Sequence, residues 1–105
     1  MYQRTEKLII GSGDAAGVIA RIQSDLVSLI EAASGFICYS IVKIDDANIL
    51  STRLFRDLAS MDSATQSTTQ TTSAIATDFD LSIEVIVDSD VSIGAASVLE
   101  EEFRP

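Results

Sequence analysis

Two stretches of the chain repeat their apolar residues at helical spacing. Ala15, Val18, Ile19, Ile22, Leu26, Leu29, Ile30 and Ala33 recur at steps of three and four, while Arg21, Gln23, Ser24, Asp25, Ser28 and Glu31 take the other faces. Asp14 suits the N-cap of this helix and Gly35 its stop, and Gly17 inside it costs about 1 kcal/mol relative to alanine. The second stripe is Leu58, Met61, Thr65, Thr68, Thr72, Ile75 and Phe79, which predicts a helix capped by Asp57 and running to about Phe79. It carries SATQSTTQTTS, residues 63 to 73, whose serines and threonines are mediocre helix formers. Packing has to hold such a helix, and its inward Thr65, Thr68 and Thr72 offer methyls to a core or hydroxyls to a cavity.

Between and around these helices the pattern is that of strands. Residues 2 to 10, YQRTEKLII, alternate roughly as an outer strand would, before GSGD breaks the run. FICYSIVK, residues 36 to 43, is apolar on both alternating faces; IDDAN supplies a turn, and ILSTRLFR, residues 49 to 56, returns as the second arm of a hairpin. LSIEVIVDSDVSIGAASV is β-branched and broken at DSD, which predicts a last strand around residues 91 to 98 with an extended piece before it. The order is β-α-β-β-α-β, an α+β ferredoxin-like arrangement: a four-stranded antiparallel sheet with two helices on one face. Residues 1–99 read as one domain and 100–105 as an acidic C-terminal tail. The helix-free face of the sheet is apolar, so two subunits are expected to pack sheet against sheet as a homodimer.

Charge and composition narrow the partners. Seven basic residues stand against 16 acidic ones in 105 residues, and a net charge of −9 repels phosphate backbones and anionic lipid, so neither nucleic acid nor membrane is expected as a partner. No apolar run has membrane-spanning length and the start carries no cleavable leader pattern, which predicts a cytoplasmic protein. Cys38 is the only cysteine and histidine is absent, so a cysteine or histidine metal cluster within one chain is not expected, and neither is a histidine general base.

The chain resembles the dimeric α/β-barrel superfamily, and within it the small proteins similar to antibiotic-biosynthesis monooxygenases. The pieces that carry the likeness are YQR, AASGFICYSIV, DDANILSTRLFRD and the late VSIG. The resemblance implies a sheet-to-sheet homodimer with a cavity between each sheet and its own helices. It also implies a small organic ligand, and, in quinol-oxidising members, oxygen chemistry without metal, flavin or any other cofactor. Those members use an asparagine and a tryptophan on the third strand, often with a tyrosine or histidine nearby. This chain has Ser51 and Phe55 at the strand positions and Met61 at the helix position.

The candidate ligand-binding residues are therefore Tyr39, Ser51, Arg53, Phe55, Met61, Thr65, Thr68 and Thr72. Ser51, Arg53 and Phe55 share a strand face, where a guanidinium holds a carboxylate or phenolate, or else pairs with an acid such as Asp57. Tyr39 serves as a hydrogen-bond donor or as a packed ring. Cys38 reads as a small apolar residue, Arg4 as an anion contact or surface charge, and the acids at 45–46, 88–90 and 100–102 as solvated turns or tail rather than a calcium loop. Three functions fit: a ligand-binding dimer without assigned chemistry, a cofactor-independent monooxygenase acting on a phenolic or quinol-type substrate, and a structural or interaction dimer.

Overall fold

The computed structural model describes residues 1–92. Its elements run β1 (Tyr2–Ile10), α1 (Ala15–Asp25), α2 (Val27–Glu31), β2 (Phe36–Asp45), β3 (Asn48–Phe55), α3 (Leu58–Ser67), α4 (Thr69–Asp78) and β4 (Leu81–Asp90). The strands form one antiparallel sheet in the order β2-β3-β1-β4. The expected ferredoxin-like order is therefore present, with each expected helix divided in two.

Both helix starts are capped as their sequences dictate. Asp14 accepts from the Gly17 amide at 2.9 Å and Asp57 from the Ser60 amide at 2.8 Å. The divisions fall at Leu26 and Thr68, where ψ is −40° and 4° respectively. A cause at Thr68 is visible: its hydroxyl donates to the Ala64 carbonyl at 2.8 Å, alongside its own backbone amide, and back-bonding of this kind bends helices. Gly35 closes the first helical pair with φ of 81°, and a Cβ there would lie 2.5 Å from Ser60 Oγ, so this turn needs glycine for both conformation and space.

Two expectations about strands change. β1 lies inside the sheet between β3 and β4, not at its edge, and Leu81–Asp90, expected only as an extended piece, is a full strand of the sheet. The DSD that suggests a break belongs to this edge strand: Asp88 pairs across from Arg4 and accepts from its guanidinium at 3.2 Å. A bulge opposite Thr5 and Glu6 lets β4 change its alternation midway. Residues 93 to 98 and the acidic tail lie outside the described residues.

The core sits between the sheet and the helices. β1 gives it Leu8 and Ile10, β3 gives Ile49 and Phe55, the first helical pair gives Val18, Ile22 and Ile30, and the second gives Met61, Ala64 and Ile75. On β3 burial alternates without exception, Ile49, Ser51, Arg53 and Phe55 buried and their neighbours half-buried, so Ser51, Arg53 and Phe55 face the helices as expected. The opposite face carries Cys38, Ser40 and Val42 on β2 beside Leu54, Thr52 and Leu50 on β3, with Thr5 hydrogen-bonded to Thr52 at its centre. Nothing among the described residues covers it. Among the described residues no helix is long and apolar enough to cross a membrane.

Candidate functional site

The helices cover the sheet unevenly. Leu81 on β4 packs at the core's edge, but Ile83, which also faces the helix side, is 54% exposed, because α4 reaches only the start of this strand. Between α1, α4 and the sheet this leaves a cavity of about 50 Å³, with Ile83 at its rim and Leu8, Ile22 and Ile75 as apolar walls. By the measure that one water needs about 10–15 Å³, it has room for roughly three to five waters.

Its polar lining comes from three adjacent strands and one helix: Glu6 on β1, Ser51 and Arg53 on β3, Tyr39 on β2, and Thr72 on α4. Strand register explains the grouping, since Tyr39 stands opposite Arg53 and Glu6 opposite Ser51. Arg53 is only 9% exposed. Its nearest acid is Glu6, Nη2 to Oε1 at 3.9 Å, a loose pair rather than a bidentate one. Its Nε is buried without a hydrogen-bond partner, and among the described residues it is the only buried side-chain nitrogen or oxygen in that state. Such groups cost stability unless something supplies an acceptor.

Tyr39 completes the group. Ser51 donates to its phenol oxygen over a long 3.5 Å, which leaves the phenol proton free to donate elsewhere. Burial pushes the Tyr39 phenol up from its ordinary value, outweighing the Ser51 hydrogen bond and the Arg53 charge that pull it down. It is a proton donor at neutral pH. The site thus holds a buried cation with a spare donor, a carboxylate acceptor and a neutral phenol around one small space.

Of the sequence candidates, Tyr39, Ser51, Arg53 and Thr72 line this cavity. Phe55 and Met61 are fully buried in the core, Phe55 packed edge to face on Phe36 with ring centroids 5.9 Å apart, and neither lines it. Thr65 and Thr68 direct their hydroxyls to the carbonyls of Met61 and Ala64, one turn back. The acid beside Arg53 is Glu6, while Asp57 is occupied in capping. Glu6 is the residue that sequence reasoning missed; assigning β1 to the sheet interior would have turned its side chain toward the helices with Leu8 and Ile10. Arg4 is not a lone surface charge, being paired with Asp88 and, at 3.9 Å, with Asp62. Among the described residues no three cysteine, aspartate or glutamate side chains gather as a metal site would require.

No family model matches the chain, and no curated protein matches it. Solved structures do. SnoaB, a cofactor-independent oxygenase from Streptomyces nogalater, is similar with a TM-score of 0.66 at 8% identity, over 89% of this chain and 97% of that one. A protein from Deinococcus radiodurans, provisionally named an antibiotic biosynthesis monooxygenase, is similar with a TM-score of 0.60 at 17% identity, over 90% and 97%. Rv0793 from Mycobacterium tuberculosis follows with a TM-score of 0.52 at 11% identity, over 89% and 100%. The chain has the ferredoxin-like fold of these antibiotic-biosynthesis-monooxygenase-like structures.

Proposed function

We propose that this protein binds a small hydroxylated aromatic molecule, a phenol or quinol, with the hydroxyl between Arg53 and Glu6. The observation that carries the reading is the buried Arg53 Nε–H without an acceptor beside a cavity that also presents a carboxylate. A phenolic hydroxyl satisfies both groups at once, accepting from Arg53 and donating to Glu6. A carboxylate ligand satisfies only the first and is repelled by the second. Calorimetric titration with phenol, hydroquinone and benzoate tests the reading. The two hydroxylated ligands should bind, benzoate should not, and Arg53→Lys should weaken phenol binding by about tenfold or more, as expected when a hydrogen bond from a charged group is lost. Absence of phenol binding to the wild-type protein would overturn it.

Tyr39 favours a second reading, a cofactor-independent oxygenase, which is also what SnoaB is described to be. Glu6 takes the hydroxyl proton, Arg53 steadies the phenolate, and the electron-rich ring reduces dioxygen directly. For an anthrone-type substrate one oxygen atom replaces the two hydrogens of the ring methylene, and the other leaves with them as water. Tyr39, held protonated, supplies a proton to the reduced oxygen. Oxygen uptake with anthrone in the presence of a chelator checks this; Tyr39→Phe and Ser51→Ala should slow it, and no uptake by the wild type reduces the function to binding.

The working unit in either case is a homodimer joined through the helix-free sheet face, where Val42, Leu50 and Leu54 flank the Thr5–Thr52 hydrogen bond and which the other described residues leave uncovered. Each cavity lies on the other side of the sheet and is lined by one chain.

A further inference from the structure

The space beside Arg53 is the size of a ligand's head, not of a whole ligand. About 50 Å³ falls far below the roughly 300–1,000 Å³ of sites that enclose small organic molecules. A second space lies next to it. Between the first helical pair and β2 runs a groove of about 210 Å³, walled by Ile19, Val27 and Ile41, with the exposed Gln23 and Glu31 beside them. Tyr39 and Ile22 line both this groove and the inner cavity, so they are the partition between the two.

The two partition residues differ in freedom. Ile22 is 3% exposed and fixed in the core, whereas Tyr39 is half-buried and stands on β2, an edge strand with no further strand beyond it among the described residues. Turning one aromatic ring joins a polar, head-sized cavity to an apolar groove, and together they approach the lower end of the usual ligand volume.

Building on the phenol reading above, we propose that the groove seats the apolar body of the ligand, so that the molecule bound is a phenol carrying an alkyl chain or second ring, its hydroxyl at Arg53 and its body past Tyr39 against Ile19, Val27 and Ile41. Glu31 at the groove disfavours an acidic tail, and the three aliphatic side chains that wall it favour an apolar one. Tyr39 is both the hydroxyl's neighbour and the door through which the body passes.

Titration calorimetry with phenol, para-ethylphenol, para-butylphenol and para-hexylphenol tests this. Affinity should rise by up to about fourfold for each methylene buried, until the groove is filled. Gln23→Trp, an exposed helix position that lines the groove, should plug it: the gain with chain length disappears while binding of phenol itself is unchanged. Gln23→Phe is a smaller plug with the same expected direction, and circular dichroism verifies that each variant is folded. If phenol binds with the Arg53 dependence described above but affinity is flat along the series, or if the gain survives in both Gln23 variants, the groove inference fails and the head-group reading stands. If neither phenol nor any longer member binds, both fail together.

Discussion

Arg53 is the residue at which stability and binding pull in opposite directions. Its guanidinium and the Glu6 carboxylate are both mostly buried, 3.9 Å apart, and the guanidinium keeps a donor without an acceptor. Removing one member of such a pair strands the other, whereas replacing both with apolar side chains of similar size is commonly neutral or stabilising by about 1–4 kcal/mol. Glu6→Leu alone should therefore lower stability in urea titration, the double variant Glu6→Leu with Arg53→Met should recover or exceed the wild type, and the double variant should bind no phenol. A double variant as unstable as the single one would mean that the pair is structural. Tyr39 gives a pH test at the same scale. Its phenol ionises near pH 10 in an unfolded chain and at higher pH when folded, so the native state holds that proton more tightly. The stability this contributes is fully present below about pH 10 and is lost as the pH rises through the folded value. Tyr39→Phe should flatten that alkaline fall. The chain has two tyrosines and no tryptophan, so phenolate absorbance follows both directly; Tyr2 is also raised, by its hydrogen bond to Asp88, and Tyr39→Phe separates the two titrations.

At the scale of elements, the hydroxyl-rich helix shows what periodicity can and cannot reveal. The spacing of Met61, Thr68 and Ile75 places all three in the core, but Leu58 in the same stripe is 42% exposed because it begins the helix beyond the sheet's cover. Among the threonines the sequence leaves the choice between cavity and core open, and the fold divides them: Thr72 lines the cavity, Thr68 fills core, and Thr65 bonds the turn behind it. A helix of such weak formers stands on its packed side chains. Met61→Ala should cost about 2–5 kcal/mol in denaturant unfolding. Thr68→Val should change stability by less than about 1 kcal/mol, because the Ala64 carbonyl keeps its backbone partner when the hydroxyl is lost. The last strand was harder to read for a physical reason. Acids such as those of DSD ordinarily mark a turn, yet on an edge strand they meet solvent or a cross-strand arginine and discourage further pairing. The same misplacement of edge and interior hid Glu6, since a charge on β1 reads as solvated unless β1 is known to lie between two strands.

For the whole molecule, alternation on β2 and β3 was enough to point to a surface that the described residues leave uncovered. Val42 is 55% and Ile86 50% exposed, Val87 lies across from Thr5 on the same face, and a chain of 105 residues has little other core to draw on. Pairing two such faces about a two-fold axis buries each against its copy and places Cys38, exposed in the single chain, in or beside the contact. The protein should therefore elute at twice 11.2 kDa, and its melting temperature should rise with concentration. Val42→Lys puts a charge on this face in both copies and should shift the species to monomer. Cys38 should then react faster with a thiol reagent than it does in the wild type. Phenol stoichiometry should stay at one per chain in that monomer, because every lining residue of the cavity belongs to a single subunit on the far side of the sheet. A wild-type monomer at micromolar concentration would remove the sheet-to-sheet dimer. Loss of phenol binding in a folded monomeric variant would show instead that the partner shapes the cavity through the strands they share, with Thr52 in the interface and Arg53 in the site as neighbours along one backbone.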